Sequence, residues 1–266
     1  MTPDAIAAWL HRSIKEREVL SDPPDGLSAD LSVAYEIQDL LVARMAADDG
    51  PIVGWKVALT TPVMQQMCGV DHPCEGAVLA DRVFSSPATC DTARLGRLGV
   101  EAEIALTLGQ DLPGEGQPYG ADTVARAIAS AHAALELVDD RNADYSAITA
   151  AKLIANNALN AGIVLGPAAL AGTGPEGARS VASLGSAKGA IVIDGEVIAE
   201  GTGADILGHP LNAIAWLANS LNARGRMLRA GDVVMCGSFV RTQFPAVGQT
   251  VTCRVEGLGE ATVTVT

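Results

Sequence analysis

The chain is predicted to be an α+β protein, a strand-rich body preceded by a short helical segment. Three observations carry that prediction. Strand-like apolar runs recur, such as IVGWKVAL from Ile52, GVEAEIALT from Gly99 and QTVTCRV from Gln249, without the regular helix alternation of βαβ units. Two stretches of helical spacing open the chain, in the residues before Gly50. The 28 glycines and 13 prolines supply the turns that a β-rich body needs.

Taken in order, Thr2-Pro3 is an N-cap followed by proline at the first helical position, and Ile6, Trp9, Leu10 and Ile14 follow at helical spacing. The loop SDPPDGLS separates this helix from a second, whose stripe is Ala34, Ile37, Leu41 and Met45 and which ends at Asp-Asp-Gly-Pro, residues 48–51. Residues 1–50 thus form a small helical lobe and 51–266 the body. IVGWKVAL is a strand with one charge, Lys56, and Thr61-Pro62 caps a short helix that stops at Gly69. A turn-rich stretch leads to the strand at Gly99–Thr107 and then to the loop GQDLPGEGQPYG. Asp122 is expected to cap a helix with Val124, Ala127, Ile128 and Ala131 on one side, running into ALELVDDR. Residues 151–165 lead by a helix or turn into a strand, and 166–189 are read as a loop. AIVIDGEVIAEG is a hairpin turning at Asp194-Gly195. His209-Pro210 starts a helix with Ile214, Leu217 and Leu221 inward and Gly225 at its end, and three strands close the chain.

Composition excludes several function classes. The net charge is −13, with 31 acidic against 18 basic residues, the opposite of the basic stripe a nucleic-acid partner needs. The same charge disfavours an anionic membrane surface, and no run of about 18 apolar residues offers a span. Five cysteines without CxxC spacing signal neither a disulfide framework nor a zinc site, which points to the reducing cytoplasm. Gly201-Thr202-Gly203 lacks the third glycine of a dinucleotide fingerprint. P-loop, HExxH and GxSxG signatures do not occur.

The chemistry concentrates in acids. Glu101 and Glu103 sit two apart in an apolar strand, so both side chains leave the same face roughly 6–7 Å apart. Taken alone, the pair is better read as the solvated side of a half-buried strand. Glu136, flanked by Ala, Leu and Val, is a third carboxylate that must be paired, coordinated or neutralised if buried. Were its segment helical, His132 would share its face and compete as a ligand. Three carboxylates without cysteine or paired histidine describe a hard-oxygen site, suited to Mg²⁺ or Mn²⁺. Lys56 is either an edge-strand lysine or a buried cation for a substrate carboxylate or a proton, and the residues alone favour the first.

Four blocks in fixed order, from about Gly54 to the C-terminus, resemble the 2-keto-4-pentenoate hydratase group of the fumarylacetoacetate hydrolase superfamily. They are GWKVALTTPVMQQMCGVDHP, VEAEIALTLGQDL, ALELVDDR and GHPLNAIAWLANSLNARGRMLRAGDVVMCGS. The resemblance implies a fumarylacetoacetate-hydrolase-like core of mixed sheets rolled into a barrel-like body, assembled as a homo-oligomer. It implies that Glu101, Glu103 and Glu136 ligate Mg²⁺ or Mn²⁺, that Lys56 lies in the active site, and that Leu59, Cys74 and Leu159 line the substrate pocket. The implied reaction is hydration of a 2-hydroxy-2,4-dienoate or 2-oxo-enoate through a metal-stabilised enolate. Decarboxylation of a 4-oxalocrotonate-type acid, C–C hydrolysis of an acylpyruvate, or a weakened subunit associated with a pathway partner enzyme are the alternatives. Two departures stand out. Asn156-Asn157-Ala158-Leu159 replaces a commoner Asp-Asn-Ala-Ser, and Cys74-Glu75 replaces Asp-Tyr. Both make the pocket less polar, and Glu75 is the candidate to restore the lost acid as a catalytic residue. Arg82, Arg141 and Arg241 are candidates for a distal substrate carboxylate.

Overall fold

The computed structural model describes residues 1–114, 116–171 and 174–266. Helix α1 (Pro3–Lys15) starts where Thr2 accepts a hydrogen bond from the Ala5 amide at 3.2 Å. Its buried stripe of Ile6, Ala7 and Leu10 packs on Ile37 and Leu41 of α2 (Leu31–Asp49), which Asp30 caps through the Ser32 amide at 2.9 Å. The chain continues through β1 (Ile52–Ala58), α3 (Pro62–Met67), β2 (Cys74–Leu79), β3 (Val83–Ser85), β4 (Ala88–Cys90) and β5 (Leu98–Leu108). Then come α4 (Ala121–Val124), β6 (Ile128–Asp139), α5 (Ala150–Ala155), β7 (Asn160–Leu165), β8 (Ala169–Ala171) and α6 (Gly174–Val181). Last are β9 (Lys188–Ile193), β10 (Glu196–Thr202), α7 (Pro210–Ala223), β11 (Val233–Ser238), β12 (Thr250–Val255) and β13 (Gly259–Val265).

The strands form two mixed sheets. The larger runs β2-β1-β11-β5-β6-β7-β3 with β8 beside β6, and the smaller runs β10-β9-β12-β13-β4. The pairs β1–β11, β3–β7 and β4–β13 are parallel. One face of the larger sheet, carrying Trp55, Val57, Ala102, Ile104 and Leu135, joins Ile191, Val251 and Val263 of the smaller sheet and Ile214 and Leu217 of α7 in the main core. The mixed α+β expectation is met.

The barrel-like closure is not. The larger sheet curls until β2 approaches β7, yet no ladder joins them. The outer edge of β2 is satisfied by side-chain amides instead. Asn157 accepts from the Ala77 amide at 2.7 Å and donates to the Ala77 carbonyl at 2.9 Å, and Gln38 of α2 donates to the Glu75 carbonyl at 2.7 Å. An edge whose polar groups are already paired has no use for another strand, so the sheet stays open.

Three further expectations are corrected. The helix expected from Asp122 lasts only through Val124, capped from Gly120 rather than Asp122, and the segment from Ile128 is a strand. Pairing with β5 along one edge, and with β8 and then β7 along the other, outweighs the local helical spacing. The loop expected at 166–189 holds β8 and α6, while Gly172 and Thr173 lie outside the described residues. The turn-rich stretch after Gly69 holds β2, buried along its whole length.

Candidate active site

The opposite face of the larger sheet carries the acids. Glu101 and Glu103 leave the same side of β5, and Glu136 of β6 stands directly across from Glu101 in the ladder. One oxygen from each of the three lies within 4.8 Å of those of the other two. Glu103 and Glu136 are fully buried, whereas Glu101 is half-buried and forms the open side of the cluster. From β1, two strands away from β5, Lys56 reaches Glu136 Oε1 at 3.2 Å.

Each carboxylate is held by a second group. Thr242 donates its hydroxyl to Glu101, the Gly237 amide donates to Glu103 Oε2 at 2.8 Å, and Asn160 Nδ2 donates to Glu136 Oε1 at 2.8 Å. The Gly237 contact needs a register slip in β11 between Met235 and Ser238 and a backbone φ of 114°. A Cβ at that position would lie 2.4 Å from Thr60 Cγ2, so only glycine fits.

These constraints leave the acids unsatisfied in a specific way. Glu136 Oε1 takes both Lys56 and Asn160, while Oε2 is buried with no hydrogen-bond partner. Burial, then the charges of Glu136 and Glu101, raise the Glu103 pKa well above its ordinary range. Burial also raises that of Glu136, against the pull of Lys56. For Lys56 burial opposes the charge, but Glu136, Glu101 and Glu103 outweigh it and the ammonium keeps its proton. Three carboxylates and one ammonium leave two uncompensated negative charges. One divalent cation with oxygen preference matches that deficit and gives the buried Glu136 Oε2 a partner.

Beside the acids lies an apolar wall. Leu59, Cys74 and Leu159 are brought together in one buried cluster with Cys68, Val138 and Ile148. Leu59 (φ 58°) and the run Asn157, Ala158, Leu159 (φ 52°, 48°, 61°) occupy the left-handed region, costly for residues with a Cβ. Asn157 holds that turn against β2, and Gly76 allows the approach, since a Cβ there would meet the Asn157 carbonyl at 2.6 Å. Burial pushes the Cys74 thiol up to about 12, leaving it a neutral apolar surface.

Glu75 is not brought to this site. It pairs with Val57, whereas Lys56 pairs with Gly76, so the two side chains leave opposite faces of the sheet. Its carboxylate accepts from Tyr35 at 2.6 Å, from Ser220 at 3.2 Å and from Arg224. All of its capacity goes to joining α2, β2 and α7. His132 shares the Glu136 face but is engaged by the Gly166 carbonyl at 3.0 Å and Ser130 at 3.0 Å, away from the cluster. Asn160, Thr242 and Gly237 are site residues that the sequence reading missed. Only Asn160 left a signal, directly after Asn156-Asn157-Ala158-Leu159.

Residues 78–266 match the family model for the fumarylacetoacetate (FAA) hydrolase C-terminal region. The chain belongs to the fumarylacetoacetate hydrolase family. Within the family it is 35% identical over 257 residues to a 2-keto-4-pentenoate hydratase of Paraburkholderia phymatum, covering 96% of this chain and 94% of the relative. A 4-oxalocrotonate decarboxylase of Pseudomonas putida is 32% identical over 244 residues, covering 91% and 87%. The solved 4-oxalocrotonate decarboxylase from Pseudomonas putida G7, complexed with magnesium and adipate, superposes with a TM-score of 0.88 at 25% identity, covering 99% of this chain and 97% of that one. Among the described residues of this family member, no helix is long and apolar enough to cross a membrane.

Proposed function

We propose that this chain is a divalent-metal-dependent hydratase, a hydro-lyase adding water to a 2-hydroxy-2,4-dienoate or its 2-oxo-enoate form. The observation that carries it is the convergence of Glu101, Glu103, Glu136 and Lys56 on one sheet face, beside the wall of Leu59, Cys74 and Leu159. Mg²⁺ or Mn²⁺ held by the three glutamates would supply a Lewis acid for charge developing on the substrate's 2-oxygen. Lys56 anchors the substrate carboxylate or carries the proton of ketonisation. Asn160 and the Gly237 amide fix the directions of Glu136 and Glu103. The apolar wall receives the hydrocarbon end and keeps bulk water from it. The 35% identical relative is a hydratase, which favours hydration over decarboxylation of a dicarboxylic 4-oxalocrotonate-type acid.

In this reading residues 51–266 carry the chemistry, and the helices of residues 1–50 brace β2 through Gln38 and Tyr35. The enzyme acts as a homo-oligomer in the reducing cytoplasm, a setting supported by five free, buried cysteines.

The test is to incubate the purified protein with Mg²⁺ and a panel of 2-hydroxydienoic and 2-oxo-enedioic acids, following the conjugated chromophore and CO₂ release. Loss of chromophore without CO₂ is expected, and CO₂ release establishes the decarboxylase instead. No turnover, together with no magnesium binding by calorimetry, refutes the lyase reading. Lys56→Arg separates the two roles of Lys56: it retains substrate affinity and loses turnover if the lysine carries the proton.

A further inference from the structure

The three acids are alike in one respect. Among the described residues, each has one oxygen engaged by a donor and the other without a hydrogen bond. Glu136 Oε1 takes Lys56 and Asn160, Glu103 Oε2 takes the Gly237 amide, and Glu101 Oε1 takes the Thr242 hydroxyl. That leaves Glu136 Oε2, Glu103 Oε1 and Glu101 Oε2 for a cation. An oxygen held by a donor also fixes the aim of its carboxylate, because chelation through both oxygens would turn the group away from that donor.

The three restraints differ in depth. Those on Glu136 and Glu103 come from a buried ammonium, a buried amide side chain and the main chain. Glu101, on the open side of the cluster, is restrained by one hydroxyl of the half-buried Thr242. The backbone puts that hydroxyl in place. After β11 the chain runs on beside β5, where Gln243 and Val100 exchange two main-chain hydrogen bonds at 2.8 and 2.9 Å. In that antiparallel register Thr242 stands opposite Glu101, and Phe244 opposite Gly99. The close fit depends on Gly99, since a Cβ there would meet Thr242 Cγ2 at 2.8 Å and Phe244 Cε1 at 3.4 Å. Arg97, paired with Asp140, stacks on the Phe244 ring at 4.4 Å and closes the row from outside.

We propose that Thr242 is a cation-selectivity residue. By occupying Glu101 Oε1 it confines the one accessible acid to coordination through a single oxygen. Such a site suits a small six-coordinate cation such as Mg²⁺ or Mn²⁺. Calcium takes about six to eight oxygens, often two from one carboxylate, and is denied the second oxygen of Glu101. Gly99 and Phe244 are positioning residues that hold Thr242 to this task. The proposal rests on the metal-dependent reading given above.

The test titrates the full metal-free chain with magnesium, manganese and calcium chlorides by calorimetry and reads the ratio of manganese to calcium affinity. Thr242→Val removes the hydroxyl in nearly the same shape. It should weaken manganese binding by about tenfold and calcium binding less, so that the ratio falls by about fivefold or more. Thr242→Ser keeps a hydroxyl and should keep the ratio. Gly99→Ala, which displaces Thr242 without altering it, should lower the ratio as well. In crystals of the calcium-loaded protein, Glu101 should offer the cation one oxygen in the unaltered chain and two in Thr242→Val. The proposal is overturned, with the metal site left standing, by a ratio unchanged in Thr242→Val or Gly99→Ala. A Thr242→Ser protein that behaves as Thr242→Val, or an unaltered chain that prefers calcium, does the same. No binding of any of the three cations overturns it together with the metal-dependent reading.

Discussion

Two buried acids of one sheet, Glu75 on β2 and Glu136 on β6, have opposite fates. Glu75 faces α2 and α7, and Tyr35, Ser220 and Arg224 consume its oxygens. Glu136 faces the other way, with one oxygen shared by Lys56 and Asn160 and the other left without a partner. Both side chains are fully buried and both touch a cation, so neither burial nor charge distinguishes them. What distinguishes them is saturation. A carboxylate with every lone pair answered belongs to the architecture, and one with a buried lone pair unanswered is waiting for a ligand.

The contrast is broken most directly by Glu103→Gln. Removing one charge from the cluster is expected to abolish Mg²⁺ binding by calorimetry and to lower turnover by about 10³-fold or more. Retained activity would show that the ligand set is wrong. Glu75→Gln should do the reverse. It leaves Arg224 without its buried counter-charge and costs about 3 kcal/mol in denaturant unfolding, while metal affinity changes little. A loss of metal affinity there would erase the distinction between the two acids.

Asn160→Ala, which touches the metal cluster only through Glu136, is expected to weaken metal binding by about tenfold with near-wild-type stability. The smallest effect is a pH dependence. The Glu103 and Glu136 pKa values are raised by burial above the ordinary 4.5, so the metal-free fold binds protons that the unfolded chain has released. Its stability therefore falls as pH rises from about 4.5 through those raised values. A bound cation offsets this loss, so the Mg²⁺-induced rise in Tm should grow from about pH 5 to 8. A rise independent of pH would mean that the cation does not neutralise these acids.

Much of this was legible in the sequence because it is local. Caps at Thr2, Thr61 and His209 mark helices that the structure shows, and the two-residue spacing of Glu101 and Glu103 survives as one face of β5. The family blocks tied Glu136 and Lys56 to that pair from distant positions. What was not legible depends on long-range pairing. Residues 128–131 carry helical spacing but are claimed by β5 and β8. β2 is short and flanked by turn residues, and only its place beside β1 makes it a strand. The direction of Glu75 follows from register, and its partners Tyr35 and Arg224 lie 40 and 149 positions away. The Gly237 amide has no side chain to announce it.

The turn at Asn157–Leu159 ties these pieces together mechanically. One end is clamped to the Ala77 peptide by Asn157, and the other leads within one residue to Asn160, which grips Glu136. Three successive residues in a costly backbone region cannot relax one at a time without breaking a clamp. The segment therefore works as a strut between the edge of the sheet and the fully buried Glu136. A disturbance of β2 and its helical brace arrives at Glu136 as a change of aim. Any property that depends on the aim of that carboxylate is thereby made sensitive to residues that never touch it.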